Sequence, residues 1–205
     1  MAPHLKVTYF NMKARAEPIR LALAIGDIPF EDERLTREQF AELKETYPFG
    51  QLPILTIDHK TVIAQQHAIL RYVGRFAGLY PEDPIEQAKV DQFLGFAEDI
   101  NFAVGKTLHT TDPTLKKSQR EELSSKTLPK LFGYLERSAS QTATGYLVGS
   151  KLTVADIVLY CFDGWLRMGV LDHVSPTILD GFPTLMKIVE NVRGNEKVKA
   201  WNEAH

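Results

Sequence analysis

"FGQLPILTI" (Phe49–Ile57) poses a contradiction that decides how the first part of the chain folds. Leu52, Ile54, Leu55 and Ile57 have the apolar texture of a buried strand, yet Pro53 stands at its head. Proline has no backbone N–H, so a paired strand tolerates it only at its first position or its edge. X-Pro bonds adopt the cis form far more readily than other peptide bonds, and a fixed cis proline marks a tight turn. A cis Leu52–Pro53 bond would turn the N–H and C=O of Leu52 outward. There they could pair with an extended peptide as one short added strand.

Working outward, Leu5–Phe10 alternates and is rich in strand formers, and Glu17–Ile25 has helical periodicity with Pro18 acceptable in a first turn. Phe30–Leu35 reads as a second strand after the turn pair Ile28-Pro29. A short helix follows over Thr36–Thr46, with Thr36 as N-cap. Ile54–Ile57, the turn Asp58-His59-Lys60 and Thr61–Ala64 form a hairpin, and Ile69, Leu70, Val73, Phe76 and Ala77 lie at helical spacing beyond it. The texture changes at "GLYPEDPIE" (residues 78–86), where Pro81, Pro84 and two acids make a linker. After it strand patterns vanish. Apolar stripes run through Val90, Phe93, Leu94, Ala97 and Ile100, through Leu128, Leu131, Phe132 and Leu135, and through Val154, Ile157, Val158, Phe162 and Trp165. Shorter helices are expected near 184–192 and 196–201. In "KLTVADI", Thr153 and Asp156 form a variant capping box with Leu152 and Ile157 as its hydrophobic staple, a structural device that nucleates a core helix. The fold class is α/β followed by all-α. A βαβ-α-ββα domain occupies residues 1–79, a linker 80–86 and a helical domain 87–205.

Composition narrows the function. Of 205 residues 44% are hydrophobic and 24% charged, as in an ordinary globular protein. A net charge of −2 offers no long-range attraction to nucleic acid or to an anionic membrane. No apolar run is long enough to span a bilayer, and Met1–Lys6 lacks the apolar core of a secretion signal. The single cysteine, Cys161, excludes a disulfide framework and any Cys-x-x-Cys site, and it reads as a buried thiol. The six histidines are not spaced as helical metal ligands, so no metal is expected. A cytosolic location follows as an expectation.

Four segments then carry a resemblance. "VTYFNMKARAEPIRLALA" resembles the first strand, loop and helix of sigma-like glutathione S-transferases, in which YF and RAEPIR are characteristic. "YPFGQLPIL" resembles their glutathione-binding cis-proline segment, "QQHAILRYVGRFAGL" the helix after the hairpin, and "LTVADI" the capping box of the helical domain. The four occur in order and at the right intervals over almost the entire chain. The resemblance implies a thioredoxin-like amino-terminal domain, an all-α carboxy-terminal domain, glutathione as co-substrate with no tightly bound cofactor, and a homodimer.

It also assigns roles. Tyr9 resembles the catalytic tyrosine whose hydroxyl donates to the glutathione sulfur, and Arg15 the positive charge that helps to keep that sulfur ionised. By alternation alone Tyr9 would be a core tyrosine beside Leu5 and Val7, and Arg15 alone a solvated cation. Lys44 resembles the lysine that meets the glycyl carboxylate, and Phe40 stands where a tryptophan is often found. Gln51, Leu52 and Pro53 belong to the binding segment, with Leu52 offering its backbone pair. Gln65 and Gln66 start the next helix, where free amides and the positive dipole end suit the γ-glutamyl carboxylate. Asp99 resembles the acid that reaches the ligand's amine in the other subunit, and Phe49 holds the place of an aromatic key into the partner. A second-substrate pocket for an apolar electrophile is expected from Phe10, Met12, Phe102 and Lys106.

Three departures stand out. Gln66 replaces the usual serine of a Gln-Ser pair, His59 replaces a hairpin glycine, and Lys106 stands where prostaglandin-isomerising relatives carry tryptophan. The expected reaction is attack of a tyrosine-stabilised thiolate on electrophilic small molecules, with organic hydroperoxide reduction by the same thiolate. The alternatives are a non-enzymatic glutathione-binding or structural protein of the same fold, akin to lens crystallin relatives, and a cysteine-type transferase. The second is disfavoured because no cysteine lies near residue 9.

Overall fold

A computed structural model of the chain describes residues 3–142 and 144–205. Its amino-terminal sheet is organised around β1 (Leu5–Phe10), which pairs in parallel with β2 (Glu31–Leu35) and antiparallel with β3 (Ile54–Ile57). β3 pairs antiparallel with β4 (Thr61–Ala64), giving the order β2-β1-β3-β4. The strand period of two sorts the side chains. In register, Val7 lies opposite Leu55, and Leu55 opposite Ile63. This apolar face is covered by α1 (Glu17–Ile25) and α3 (Gln66–Phe76), whose Ile19, Leu23, Ile69, Leu70 and Val73 are fully buried. The opposite face carries Lys6, Thr8 and Phe10. There the Glu33 carboxylate accepts from Lys6 Nζ (2.9 Å) and from Thr8 Oγ1 (2.7 Å). The hydrogen bonds outweigh the burial penalty, and the Glu33 carboxyl sits below its ordinary value.

The helix α2 (Arg37–Leu43) begins with a reciprocal capping box: the Thr36 N–H donates to Gln39 Oε1 and the Gln39 N–H donates to Thr36 Oγ1. It buries no residue fully, and its Phe40 ring meets Phe10 edge-on at 5.3 Å and stacks on Tyr47 at 6.3 Å. A short 3-10 turn over Lys44–Thr46 extends it.

The chain divides into two compact units: residues up to Pro81 together with Glu196–His205, and Glu82–Asn195. The second unit is helical, with α4 (Pro84–Leu108), α5 (Pro113–Glu122), one wide π turn (Leu123–Thr127), α6 (Leu128–Ala139), α7 (Val154–Arg167) and α8 (Pro183–Arg193). α4 starts at Pro84, inside the stretch read as linker, because Asp83 accepts from the N–H groups of Ile85 and Glu86. α7 is nearly enclosed, with Val154, Ile157 and Leu159 buried. Its cap is as expected: the Asp156 carboxylate accepts from the Thr153 N–H (2.7 Å), from Thr153 Oγ1 (2.8 Å) and from the Leu147 N–H (2.7 Å). Glu136 of α6 accepts from the Thr184 and Leu185 N–H groups at the start of α8, both at 2.9 Å, and so caps a helix other than its own. The last helix, α9 (Glu196–Ala204), packs along α1 and belongs to the first unit.

Candidate active site

Tyr9 is 6% exposed near the carboxyl end of β1, in register with Arg34 of β2. Beyond it the chain turns sharply. The Met12 N–H returns to the Phe10 carbonyl at 2.7 Å, Ala14 takes φ 37°, and a 3-10 turn over Ala14–Ala16 carries the exposed Arg15. A non-glycine residue in the left-handed region costs about 1–2 kcal/mol, so surrounding contacts must hold it there. One such contact joins the two expected catalytic residues: the Arg15 backbone N–H donates to the Tyr9 phenol oxygen. Burial pushes the Tyr9 hydroxyl above its ordinary value, while this amide and the charges of Arg15 and Arg20 pull it down. Burial wins, so the phenol keeps its proton at neutral pH. Its oxygen already accepts, which leaves the O–H to donate.

The proline corner lies beyond the opposite end of α2. The Leu52–Pro53 bond is cis, Pro53 is buried, and the β1–β3 ladder stops at Thr8 and Ile54, leaving Leu52 outside the sheet register. Gly50 shapes the approach: at φ 57° its N–H donates to the Tyr47 carbonyl. A Cβ placed there would come within 3.4 Å of the Lys44 Cγ and Cε, so the Lys44 stem lies across this glycine.

Across the corner, Gln65 Nε2 donates to Gln51 Oε1 at 3.2 Å. Gln65 is the N-cap of α3 with φ 73°, and its own side chain makes no capping hydrogen bond. Its first amides and positive dipole end are suited to an anion. Gln66 is 7% exposed, and its buried Oε1 has no hydrogen-bond partner among the described residues. The serine expected at this position would not have reached so deep. The longer amide turns inward, and the backbone N–H remains at the helix end.

The remaining expected residues occur in both units. Phe10 touches Tyr9 (5.5 Å between ring centroids) as well as Phe40, and Met12 is exposed in the same unit. In the helical unit Asp99 and Phe102 are exposed on α4, and Lys106 Nζ sits 4.6 Å over the Phe102 ring. Phe49 is 65% exposed at the tip of the corner.

Sequence reasoning missed the charges beneath Tyr9. Arg20, in the middle of α1, is fully buried. Its Nε donates to Asp32 Oδ1 (2.9 Å), and its Nη1 donates to the Met12 carbonyl (2.8 Å) and lies 3.4 Å from Glu17 Oε2. Trp201 Nε1 of α9 donates to Glu17 Oε1 at 2.9 Å. The signal was present: an arginine inside the apolar run "EPIRLALAI", three residues from an acid.

The two-domain architecture has matches among known proteins. Residues 5–75 match the family model described as glutathione S-transferase, N-terminal domain, and residues 98–205 that described as glutathione S-transferase, C-terminal domain. A curated glutathione S-transferase of Anopheles gambiae is 34% identical over 203 residues, covering 97% of this chain and 95% of the relative. Among solved structures, prostaglandin synthase D of Nilaparvata lugens superposes with a TM-score of 0.89 at 32% identity, covering 98% of each chain. A Nu-class glutathione S-transferase of Haemonchus contortus gives 0.77 at 32% identity, covering 98% of this chain and 97% of its own.

Proposed function

We propose that this chain, which belongs to the glutathione S-transferase family, uses Tyr9 and Arg15 to hold glutathione as its thiolate for attack on electrophilic small molecules. The chain is a glutathione transferase, and glutathione is its co-substrate. The observation that carries the assignment of roles is the buried Tyr9 phenol, which keeps its proton while its oxygen accepts the Arg15 N–H. A phenol held in this way can donate to sulfur and favours the anion, as does the nearby guanidinium. The S–H proton leaves to solvent, and the sulfur lone pair then forms the carbon–sulfur bond as the electrophile's leaving group departs. Proximity and thiolate stabilisation supply the rate.

The test is direct. A free thiol has a pKa of about 8.5, and an adjacent donor and cation lower such a value by about one to three units. Ultraviolet titration of bound glutathione is therefore expected to show half-ionisation near pH 7. A bound thiol that titrates like the free one would favour a non-enzymatic binding module instead.

Binding is assigned to the surrounding groups. Lys44, its stem laid over Gly50, meets the glycyl carboxylate, and the Leu52 backbone pairs with the tripeptide. Phe40, Gln51 and Pro53 shape the groove, while the α3 end with Gln65 and Gln66 takes the γ-glutamyl carboxylate. Because these contacts persist from ground state to transition state, Lys44→Ala should raise the KM for glutathione about ten-fold and leave kcat nearly unchanged. Steady-state kinetics at saturating electrophile would reveal a fall in kcat if the lysine served chemistry instead.

The finer readings rest on sequence motifs. YF and RAEPIR favour the sigma-like class. Asp99, exposed on α4, would reach the ligand amine in the other subunit of a homodimer, and Phe49, exposed at the corner, would seat in that partner. Phe10, Met12, Phe102 and Lys106 would receive an apolar electrophile. Lys106 in place of a tryptophan favours general conjugation, with hydroperoxide reduction beside it, over prostaglandin isomerisation. Among the described residues no helix is long and apolar enough to cross a membrane. A detoxifying role in the cytoplasm fits this set.

A further inference from the structure

We propose that Arg20 is a positioning residue for thiolate formation, set in place by the carboxy-terminal helix through Trp201 and Glu17. The inference rests on the reading of Tyr9 given above and adds the device that holds its loop.

A fully buried guanidinium is expensive. Removing such a charge from water costs several kcal/mol, and a well-packed apolar side chain often serves stability as well or better. Arg20 occupies such a place at 0% exposure, and its Nη2 has no hydrogen-bond partner among the described residues. Its contacts indicate what it does. Besides Asp32 of β2 and Glu17 of its own helix, it reaches the Met12 carbonyl at 2.8 Å and the Lys13 carbonyl at 3.5 Å. These carbonyls belong to the loop between Tyr9 and Arg15. The same loop is tied at a second point, where Arg34 donates to Asn11 Oδ1 (3.1 Å) while also bonding the other oxygen of Asp32 (2.8 Å). Two cations and two acids thus balance beneath the loop, so the field at the phenol depends on where the Arg20 guanidinium stands.

That position has a remote determinant. Trp201 stacks on Phe30 (6.0 Å) and directs its ring N–H at Glu17 Oε1, leaving Glu17 Oε2 toward Arg20. The last helix therefore fixes the carboxylate that fixes the guanidinium, and the guanidinium holds the loop that presents the Arg15 amide to Tyr9.

Two conservative variants test this by ultraviolet titration of bound glutathione. Arg20→Lys keeps the charge but cannot hold Asp32 and the Met12 carbonyl together. It should raise the bound thiol pKa by about one unit, a ten-fold loss of thiolate below that pKa. Trp201→Phe keeps the stack on Phe30 and removes only the N–H, with an expected loss of about three-fold. Lys197→Met, which breaks the Lys197–Asp27 ion pair at the other end of the α1–α9 contact, should titrate as wild type even if it melts lower. Tyr9→Phe is the reference. A shift there, with none in Arg20→Lys or Trp201→Phe, overturns this inference alone; no shift in Tyr9→Phe overturns the reading of Tyr9 and this inference with it. If Arg20→Lys does not accumulate, Trp201→Phe decides the matter.

Discussion

Tyr9→Phe should conjugate a standard aryl halide about 100-fold more slowly at neutral pH, while its affinity for glutathione stays within about three-fold of wild type. The size follows from the kind of contact. A single preorganised donor aimed at a developing or resident anion in a shielded site is worth about 2.7–4 kcal/mol in the rate. On the proposed reading Tyr9, almost fully buried with its oxygen already accepting the Arg15 amide, is such a donor. Binding should change little, because the groups assigned to the tripeptide's carboxylates and backbone lie elsewhere, at Lys44, Leu52 and the start of α3. The defect should also depend on pH. Above about pH 8.5 glutathione ionises without help, so the variant should recover part of its deficit there. A kcat/KM profile from pH 6 to 9 separates this from a packing defect, which would lower the whole curve evenly. Full activity at neutral pH would remove Tyr9 from the chemistry.

How much of this was legible in the sequence depended on which signals are local. Strand alternation in Leu5–Phe10, the helix Glu17–Ile25 and the hairpin Ile54–Ile57 with Thr61–Ala64 all appear at the boundaries their periodicity suggested. The cis bond before Pro53 could be anticipated because proline makes it accessible and an apolar strand began there. α5 could not. Its sequence, PTLKKSQREE, has one large apolar residue, Leu115, which is itself exposed, and its single buried side chain is Arg120. Periodicity reports apolar stripes and is silent on a helix that lacks one. The buried Arg20 was hidden for a different reason. Its partners come from α1, β2 and the β1–α1 loop, and Trp201, which bonds its neighbour Glu17, lies 184 residues from that glutamate. A pattern of single residues contains no trace of which distant acid or carbonyl will meet a charge. The inward turn of Gln66 is similar, since side-chain depth is a tertiary property.

The second large effect concerns folding rather than sulfur chemistry. Asp156→Ala should destabilise the protein by about 3–5 kcal/mol, because it removes the acceptor of three buried donors at once. The Thr153 N–H, the Thr153 hydroxyl and the Leu147 N–H all bond this carboxylate within 2.8 Å, and Asp156 is 0% exposed. For a chain of this size such a loss lowers Tm by roughly 6–20 °C. The same site carries a pH signature. Burial pushes the Asp156 carboxyl up to about 6 from 3.8, against the pull of its donors. The native state therefore holds this proton longer than the unfolded chain does. The group's contribution to stability is full below about pH 4 and is lost as pH rises through about 6, by roughly 3 kcal/mol. Asp156→Asn cannot titrate, and its amide can still accept at one atom. The stability advantage of wild type over this variant, measured by urea unfolding, should therefore shrink between pH 4 and pH 7. An advantage that grew over that interval would mean that the three donors outweigh burial and that the carboxyl lies below its ordinary value.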